Sequence, residues 1–488
     1  MSKSVRKILF WIFALLFLVT ASYIILYSQG YRFDNKKGVF IHSGSITIKA
    51  TPANAAIFLD DVQQQTGALD IINNSVTING LRPGNYRIRV SLAGYKDWSK
   101  TIDVHSGVST EFWNVVLIPN DPEIKEINAS NPMRYFPSPF GKKIAYVVNK
   151  DDEFQLWVND LKNSQNTMLY SGRDVSFTDD SRENIEWNFK EDLVACPILK
   201  GGKKEYLILS TDNKDFEPVF VSSFLPQDEV PLKARWSPSN ENLLYFITLR
   251  DGEHKKNLNQ LDVGSRELLT IADDIYTYDL SSRSVYILKN NNVVFKTDLL
   301  GKNESQILPS PFTSNEIGDD ARLIVYDDDR LALISTDGKL YLRNNGKEDS
   351  IKSLMDDCEG IQFSDDGKKM LFWNKNEINV LYLRAWDVQP RREEGEIQQI
   401  ARLSSPVYNV AWYKDYEHIF FSNQGKLNII ELDGRDRRLS SSFIGSNPEN
   451  FLGSYDAGNG IFYFLNEMNG ENKLYFFEFP KKTGFFGG

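Results

Sequence analysis

From about residue 136 onward, one short pattern returns eight times along the chain. An aromatic or apolar residue is followed by a polar turn and then by a run of β-forming residues. The clearest copies are Trp236-Ser237-Pro238-Ser239-Asn240 before residues 243–247 and Phe363-Ser364-Asp365-Asp366-Gly367 before 370–373. Trp412-Tyr413-Lys414-Asp415 before 419–422 is a third. A self-similar unit of this size is one supersecondary block used many times, as in a propeller or a solenoid. The first apolar residues after each turn are Ile144, Leu193, Leu243, Val285, Leu323, Met370, Ile419 and Ile461. They are spaced 38 to 50 residues apart, enough for four strands and their turns. Helical repeats do not fit, because the segments are short, β-branched and aromatic. Eight units predict an eight-bladed ring. Seven blades is the alternative if the weak unit around 278–288 is only an elaboration. Ring closure is expected to pair Glu123-Ile124-Lys125-Glu126-Ile127 with residues 474–479, hiding two sheet edges.

Residues 8–27 form an uncharged run of 20, about 30 Å as a helix and so the thickness of a bilayer's hydrocarbon. Lys3, Arg6 and Lys7 precede it; Arg32, Lys36 and Lys37 follow. Trp11 lies near its start, and Tyr23, Tyr27 and Tyr31 are spaced for one helical face near its end, as in an interfacial aromatic belt. A cleaved signal peptide, with core 8–19 and Val19-Thr20-Ala21 as its cleavage site, is the competing reading. The apolar run continues past that site, which favours a retained single-pass signal-anchor. Residues 1–7 are then cytoplasmic and the bulk of the chain extracytoplasmic, at the cell surface or envelope.

After a spacer at 32–42 the period changes to two. Ser45-Ile46-Thr47-Ile48-Lys49 and Tyr86-Arg87-Ile88-Arg89-Val90 alternate polar and apolar residues, as half-buried strands do. Six or seven short antiparallel strands across 43–119 predict a small β-sandwich. Three stretches carry a family resemblance. They are Thr51-Pro52-Ala53-Asn54-Ala55-Ala56, Leu81-Arg82-Pro83-Gly84-Asn85-Tyr86 and Ala93-Gly94-Tyr95-Lys96-Asp97-Trp98. Their combined spacing resembles the PEGA domain, a sandwich of bacterial and archaeal envelope proteins. The name-giving glycine is replaced by Asn54, which tolerates a positive φ. The resemblance implies location and adhesion rather than chemistry, and Tyr86, Tyr95 and Trp98 read as core or corner aromatics. Past the Asn120-Asp121-Pro122 boundary, the repeats of 122–480 resemble TolB-type and WD-like propellers. In those an aromatic residue and a Ser-Pro-Asp-Gly-Lys-like turn start each blade. Residues 363–369 and 236–242 match best; the units near 187 and 317 match poorly.

The fold class is therefore all-β: one transmembrane helix, a PEGA-like sandwich, a propeller, and a tail at 481–488 expected to be disordered. A net charge of −10 argues against nucleic acid, whose phosphates demand a basic face. Cys196 and Cys358 fall on opposite sides of an eightfold ring, beyond disulfide reach, so both are expected to be free thiols. Neither they nor the four histidines have metal-ligand spacing. Hydrolase elbow, zincin, phosphate-loop and EF-hand motifs are absent, so no catalytic residue, metal or cofactor is assigned. The acidic runs Asp151-Asp152-Glu153 and Asp327-Asp328-Asp329 lie between predicted strands and read as hairpin loops. One stretch departs from the repeat, Arg384-Ala385-Trp386-Asp387 through Pro390-Arg391-Arg392-Glu393-Glu394. It reads either as a long mixed-charge hairpin or as a projecting partner contact through Trp386, Arg391 and Arg392, residue types that dominate interface hot spots. The functional expectation is a membrane-anchored, non-catalytic scaffold docking a protein or a cell-wall glycan. The alternatives are a glycan- or peptide-acting enzyme with carboxylates in the channel, and a TolB-like part of a membrane assembly complex.

Overall fold

The computed structural model describes residues 3–34, 38–64, 75–180, 182–250, 252, 255–308, 311–312, 317–318, 320–345, 351–445 and 452–479. The tail at 481–488 lies outside them. The N-terminal helix runs Lys3–Ser28, and its apolar part, Val5–Ser28, has a mean hydropathy of 2.5 and no buried residue. Tyr23 and Tyr27 stack on one helical face at 6.2 Å between ring centroids. Tyr31 does not continue that face. The helix stops at Ser28, and Tyr31 opens a strand, Tyr31–Asp34, that pairs with Val39–His42. The segment expected to be a spacer is thus a two-stranded hairpin.

The sandwich has two sheets. One orders Val62–Gln63, Ala56–Leu59, Gly84–Ser91 and Trp98–Val104; the other orders Val76–Leu81, Gly44–Thr51 and Ser109–Val116. Alternate residues point inward, and Ile46, Ile48, Ile88, Val90 and Val104 are fully buried between the sheets. The expectation of wholly antiparallel pairing needs correction, because Gly44–Thr51 and Ser109–Val116 run parallel. The first and last strands of the domain meet side by side, so chain entry and exit lie at opposite ends of the sandwich. Asn54 also differs from expectation. It is not among the residues with positive φ, and the turn closes instead through the Ala55 N–H donating to the Pro52 carbonyl at 3.3 Å.

Among the described residues, eight antiparallel sheets follow, built in chain order. The first is Arg134–Pro137, Lys143–Lys150, Glu153–Asp160 and Gln165–Gly172. In the eighth, Gly453–Asp456, Ile461–Met468 and Glu471–Glu478 are completed by Lys125–Ile127 from the other end of the propeller. Lys125 faces Phe476 in that pairing, which hides both edges. Buried apolar clusters join each sheet to the next. The cluster of Ile144, Tyr146 and Val148 with Tyr463, Leu465 and Leu474 joins the eighth to the first and closes the ring.

The recurring motif now has a physical account. Its turn residue is a buried acceptor for backbone N–H groups that the turn leaves without ladder partners. The Ser364 hydroxyl oxygen accepts from Lys369 N–H at 2.9 Å, Ser138 from Lys143 N–H at 3.0 Å, and Asn188 Oδ1 from Leu193 N–H at 3.1 Å. The aromatic residue fills the space between sheets, and its polar edge reaches the preceding inner strand. Indole N–H groups donate from Trp187 to the Phe136 carbonyl (3.1 Å), from Trp236 to that of Glu186 (3.1 Å) and from Trp412 to that of Gln362 (3.0 Å). Where tryptophan is missing, tyrosine stands in. The Tyr278 hydroxyl donates to the Lys233 carbonyl at 2.7 Å, and the Tyr135 hydroxyl to that of Tyr463 at 2.8 Å.

One unit was out of register in the sequence. Leu323 lies on the inner strand Arg322–Val325, and the turn of this fifth sheet is at residues 327–329, ahead of Arg330–Ile334. The fifth repeat therefore begins at Leu331. The weak unit at 278–288 belongs to a regular sheet whose shortened turn closes from Ser281 N–H to the Ser284 carbonyl at 2.9 Å. Cys196 and Cys358 are both free and buried.

Replacing Trp412 with Phe keeps an aromatic ring but removes the indole's hydrogen bond to the Gln362 carbonyl. We expect a loss of about 0.5–1.5 kcal/mol in urea unfolding. Trp157→Phe, whose indole bonds only the Gln155 side chain, should cost less.

Candidate functional site

A group of buried charges lies where the sandwich meets the propeller. Strand Trp98–Val104 turns Trp98, Lys100, Ile102 and Val104 inward, so a lysine stands in a series of apolar positions. Its ammonium group is 2.6 Å from a Glu431 carboxylate oxygen. It also donates toward three alternate carbonyls of the following loop, Asp433 (2.8 Å), Arg435 (3.0 Å) and Arg437 (2.8 Å). Glu431 is satisfied as well, accepting from the Trp98 indole N–H at 3.1 Å and from Leu439 N–H at 2.9 Å. A charge this well surrounded is the condition under which burial is tolerated.

Arg435 forms the second part of the junction. It forks onto Asp433 at 3.0 and 2.6 Å, donates to the Glu111 carbonyl at 2.7 Å and lies 3.9 Å over the Phe112 ring. Burial alone would raise the Asp433 carboxyl, but the hydrogen bonds and charge of Arg435, with Lys100, hold it below the ordinary carboxylate range. Gln389 forms the third part. Its carbonyl accepts from Glu111 N–H (3.1 Å) and its amide donates to the Ser109 carbonyl (2.7 Å), as a neighbouring strand would. Ser109–Val116 is an edge strand, and this side chain covers part of its open edge.

The loop singled out from the sequence is therefore occupied within the chain. Trp386 and Arg392 form a small bridge, N–H to carbonyl in both directions at 2.9 and 3.0 Å. The Trp386 ring lies 3.9 Å from the Lys369 ammonium, and Arg392 pairs with Glu396 at 2.7 Å. Only Arg391 of the three is exposed. The loop's contact is the sandwich, made through Gln389. Sequence reasoning passed over Lys100, Gln389, Glu431 and Arg435. A lysine at an inward strand position was the available signal, since lysine is almost never buried without a partner.

The acidic runs are turn chemistry. Asp151 and Asp152 have φ of 54° and 59° and join Lys150 to Glu153, a two-residue hairpin that requires left-handed backbone at both positions. Asp328 accepts from the Tyr286 hydroxyl at 2.6 Å and from Lys296 at 2.7 Å. These bonds outweigh its partial burial and lower its carboxyl. Asp327 pairs with Arg330, and the run borders a cleft of about 410 Å³ with Ser281, Arg283 and Tyr326. In the channel, Arg235 pairs with Asp279, whose carboxylate also accepts from Val325 N–H at 2.8 Å. Arg182 of the second sheet reaches Asp320, ahead of the fifth, at 3.4 Å, so this contact passes across the ring. Hydrogen bonds from Arg182 hold the Asp180 carboxyl down to about 2. Among the described residues, no group of three or more His, Cys, Asp or Glu side chains is placed to hold a metal ion.

The comparisons with known proteins divide along the same line. The family model of the PEGA domain matches residues 43–116. No curated protein matches the chain. Among solved structures, Sqt1 of Saccharomyces cerevisiae is 12% identical, with 74% of this chain and 99% of that one covered at a TM-score of 0.47. An oligogalacturonate lyase in complex with manganese is 12% identical, covering 75% and 97% at 0.41. The Cps50 (Swd1) β-propeller domain of Myceliophteria thermophila is 11% identical, covering 73% and 99% at 0.37. The likeness is one of fold.

Two predictions follow from the junction. Lys100→Met leaves Glu431 buried without its cation and should cost about 3–5 kcal/mol in urea unfolding, part of it returned by adding Glu431→Leu. The Asp433 carboxyl is lower in the folded protein than in the unfolded chain. Its contribution is thus present above its unfolded value of about 4 and lost as pH falls through its folded value. Asp433→Asn should be less stable at neutral pH and show a shallower acid decline in a pH series of melting temperatures.

Proposed function

We propose that the chain is a membrane-anchored, non-catalytic envelope protein that presents a propeller as a docking platform. The observation that carries this reading is the junction. The Lys100–Glu431 pair, the Arg435 fork and the Gln389 bridge fix the sandwich to one face of the propeller, so an anchor at the N-terminus sets the platform's orientation as well as its location. The apolar helix, unburied along its whole length, supplies that anchor, and the PEGA match favours an extracytoplasmic setting.

The opposite face is the docking surface. Strand direction alternates, so the hairpins joining second to third strands all lie on the face away from the sandwich contacts at 384–396 and 433–437. Four of them are tight two-residue turns: Asp151-Asp152, Gly201-Gly202, Gln424-Gly425 and Asn469-Gly470. They form a rim of backbone and small polar groups suited to a protein or a cell-wall glycan.

A photo-crosslinker placed at Asp152 or Gln424 should capture an envelope component in intact cells, while one at Arg391 on the sandwich face captures less. External protease should cut the propeller in those cells. Protection from protease would overturn the location, and capture from Arg391 alone would overturn the docking face. A stable stoichiometric protein partner in solubilised membranes points to an assembly complex. Turnover of an oligosaccharide or peptide by the purified protein would replace the docking role with an enzymatic one.

A further inference from the structure

We propose that the Tyr31–Asp34/Val39–His42 hairpin is a second membrane-contacting element, seated among the phospholipid headgroups and upper acyl chains beside the end of the apolar helix. This inference rests on the anchor reading above and adds a second contact to it.

The span Val5–Ser28 has 24 residues, about 36 Å of helix against about 30 Å of hydrocarbon, so its final turns reach the interfacial layer. The hairpin does not extend away from that level but folds back beside it. The Phe40 ring lies 6.5 Å from that of Tyr23 and 5.2 Å from that of Phe33. Tyr23 is five residues before the helix end, so Phe40 stands about 7 Å back along the span. Phe33, Val39 and Phe40 are nevertheless 45%, 49% and 42% exposed. An isolated two-stranded hairpin with three open apolar side chains is not stable in water by itself. Its exposed side chains continue the unburied apolar surface of the helix, and this continuity selects lipid as the occupant.

The polar groups agree with that depth. The Arg32 guanidinium lies 3.6 Å over the Tyr27 ring and donates to the Tyr27 and Tyr31 carbonyls at 2.9 Å each. Arg82 of the sandwich donates to the Phe33 carbonyl at 3.4 Å. Two cations beside an aromatic belt match the phosphate layer, where arginine keeps its stem in apolar surroundings and its head among anions. The hairpin is also tied to the helix end, because Ser43 donates to the Gly30 carbonyl through N–H at 2.8 Å and through its hydroxyl at 2.6 Å.

The test uses the full chain in nanodiscs of phosphatidylcholine and phosphatidylglycerol, labelled at single introduced cysteines with an environment-sensitive fluorophore. The native thiols are buried, at 0% and 4% exposure, and stay unlabelled in the folded protein. Phe40→Cys is the probe, with Val39→Cys as a second should the first fail to fold. Trp11→Cys reports the anchor and Val62→Cys reports water. The expected result is blue-shifted emission from the hairpin label, near that of the Trp11 site, quenched by nitroxide lipids and not by iodide. A hairpin label quenched by iodide while the Trp11 label sits in lipid overturns the inference and leaves the anchor intact. Both labels in water overturn the anchor reading and the inference with it. A hairpin label shielded from both quenchers indicates a protein neighbour, such as a second copy, and also overturns it.

Discussion

The ring depends on a polar contact made by an aromatic side chain. The indoles of Trp187, Trp236 and Trp412 and the hydroxyl of Tyr278 each donate backward to a carbonyl on the inner strand of the preceding sheet, and the Tyr135 hydroxyl donates to Tyr463 on the second strand of the last sheet. One residue thus performs two tasks at each interface. Its ring fills the space between two sheets, and its edge adds a directional hydrogen bond to the preceding sheet, worth about 0.5–1.5 kcal/mol. Valine or leucine could fill the space but could not fix which strand stands where. Between the fourth and fifth sheets a carboxylate takes the task in reverse, with Asp279 accepting from Val325 N–H.

This explains what could be read in the sequence and what could not. Trp236, Phe363 and Trp412 with their Ser or Asp turns are local signals, since the turn's acceptor and the N–H groups it satisfies lie within six residues of each other. The closing strand was legible too, because Lys125–Ile127 continues the alternation that Glu471–Glu478 needs beside it. The fifth unit was misplaced because Leu323 and Leu331 flank the same turn and both read as strand starts. Only tertiary pairing distinguishes an inner strand from the one after it. The junction was harder still. Lys100 and Glu431 are more than 300 residues apart, and no local pattern links them. What the sequence held was half the signal, a lysine in phase with Trp98, Ile102 and Val104.

An ionic contact at that junction follows from what the interface must do. Apolar packing is already present, since Val116 and Ile118 enter the cluster between the seventh and eighth sheets with Phe420 and Phe462. Such packing tolerates small slides and rotations. The Lys100 ammonium does not, because its acceptors are a carboxylate and three carbonyls of one curled loop, and displacement strands them all. Buried ion pairs are weak sources of net stability but good sources of register. Arg435 adds a planar fork and Gln389 a pair of strand-like hydrogen bonds, both directional.

The position of these contacts along the sandwich matters as much as their strength. In Gly84–Ser91 and Trp98–Val104 the pairing sets Gly84 opposite Val104 at one end and Val90 opposite Trp98 at the other. Six residues of strand separate those ends, about 20 Å. Trp98 and Lys100 are held near the far end, by Glu431 and the 433–437 loop. Ser109 and Glu111 lie toward the entry end beside Gly44, and there Gln389 meets them. The long loop at 384–394 thus turns onto the sandwich rather than out into solvent, and it meets the 433–437 loop there, with Arg435 donating to Gln389 at 3.4 Å. A single contact would leave the domain free to pivot; here two loops from neighbouring sheets hold the N–H and the carbonyl of the same Glu111, and Lys100 fixes the facing strand.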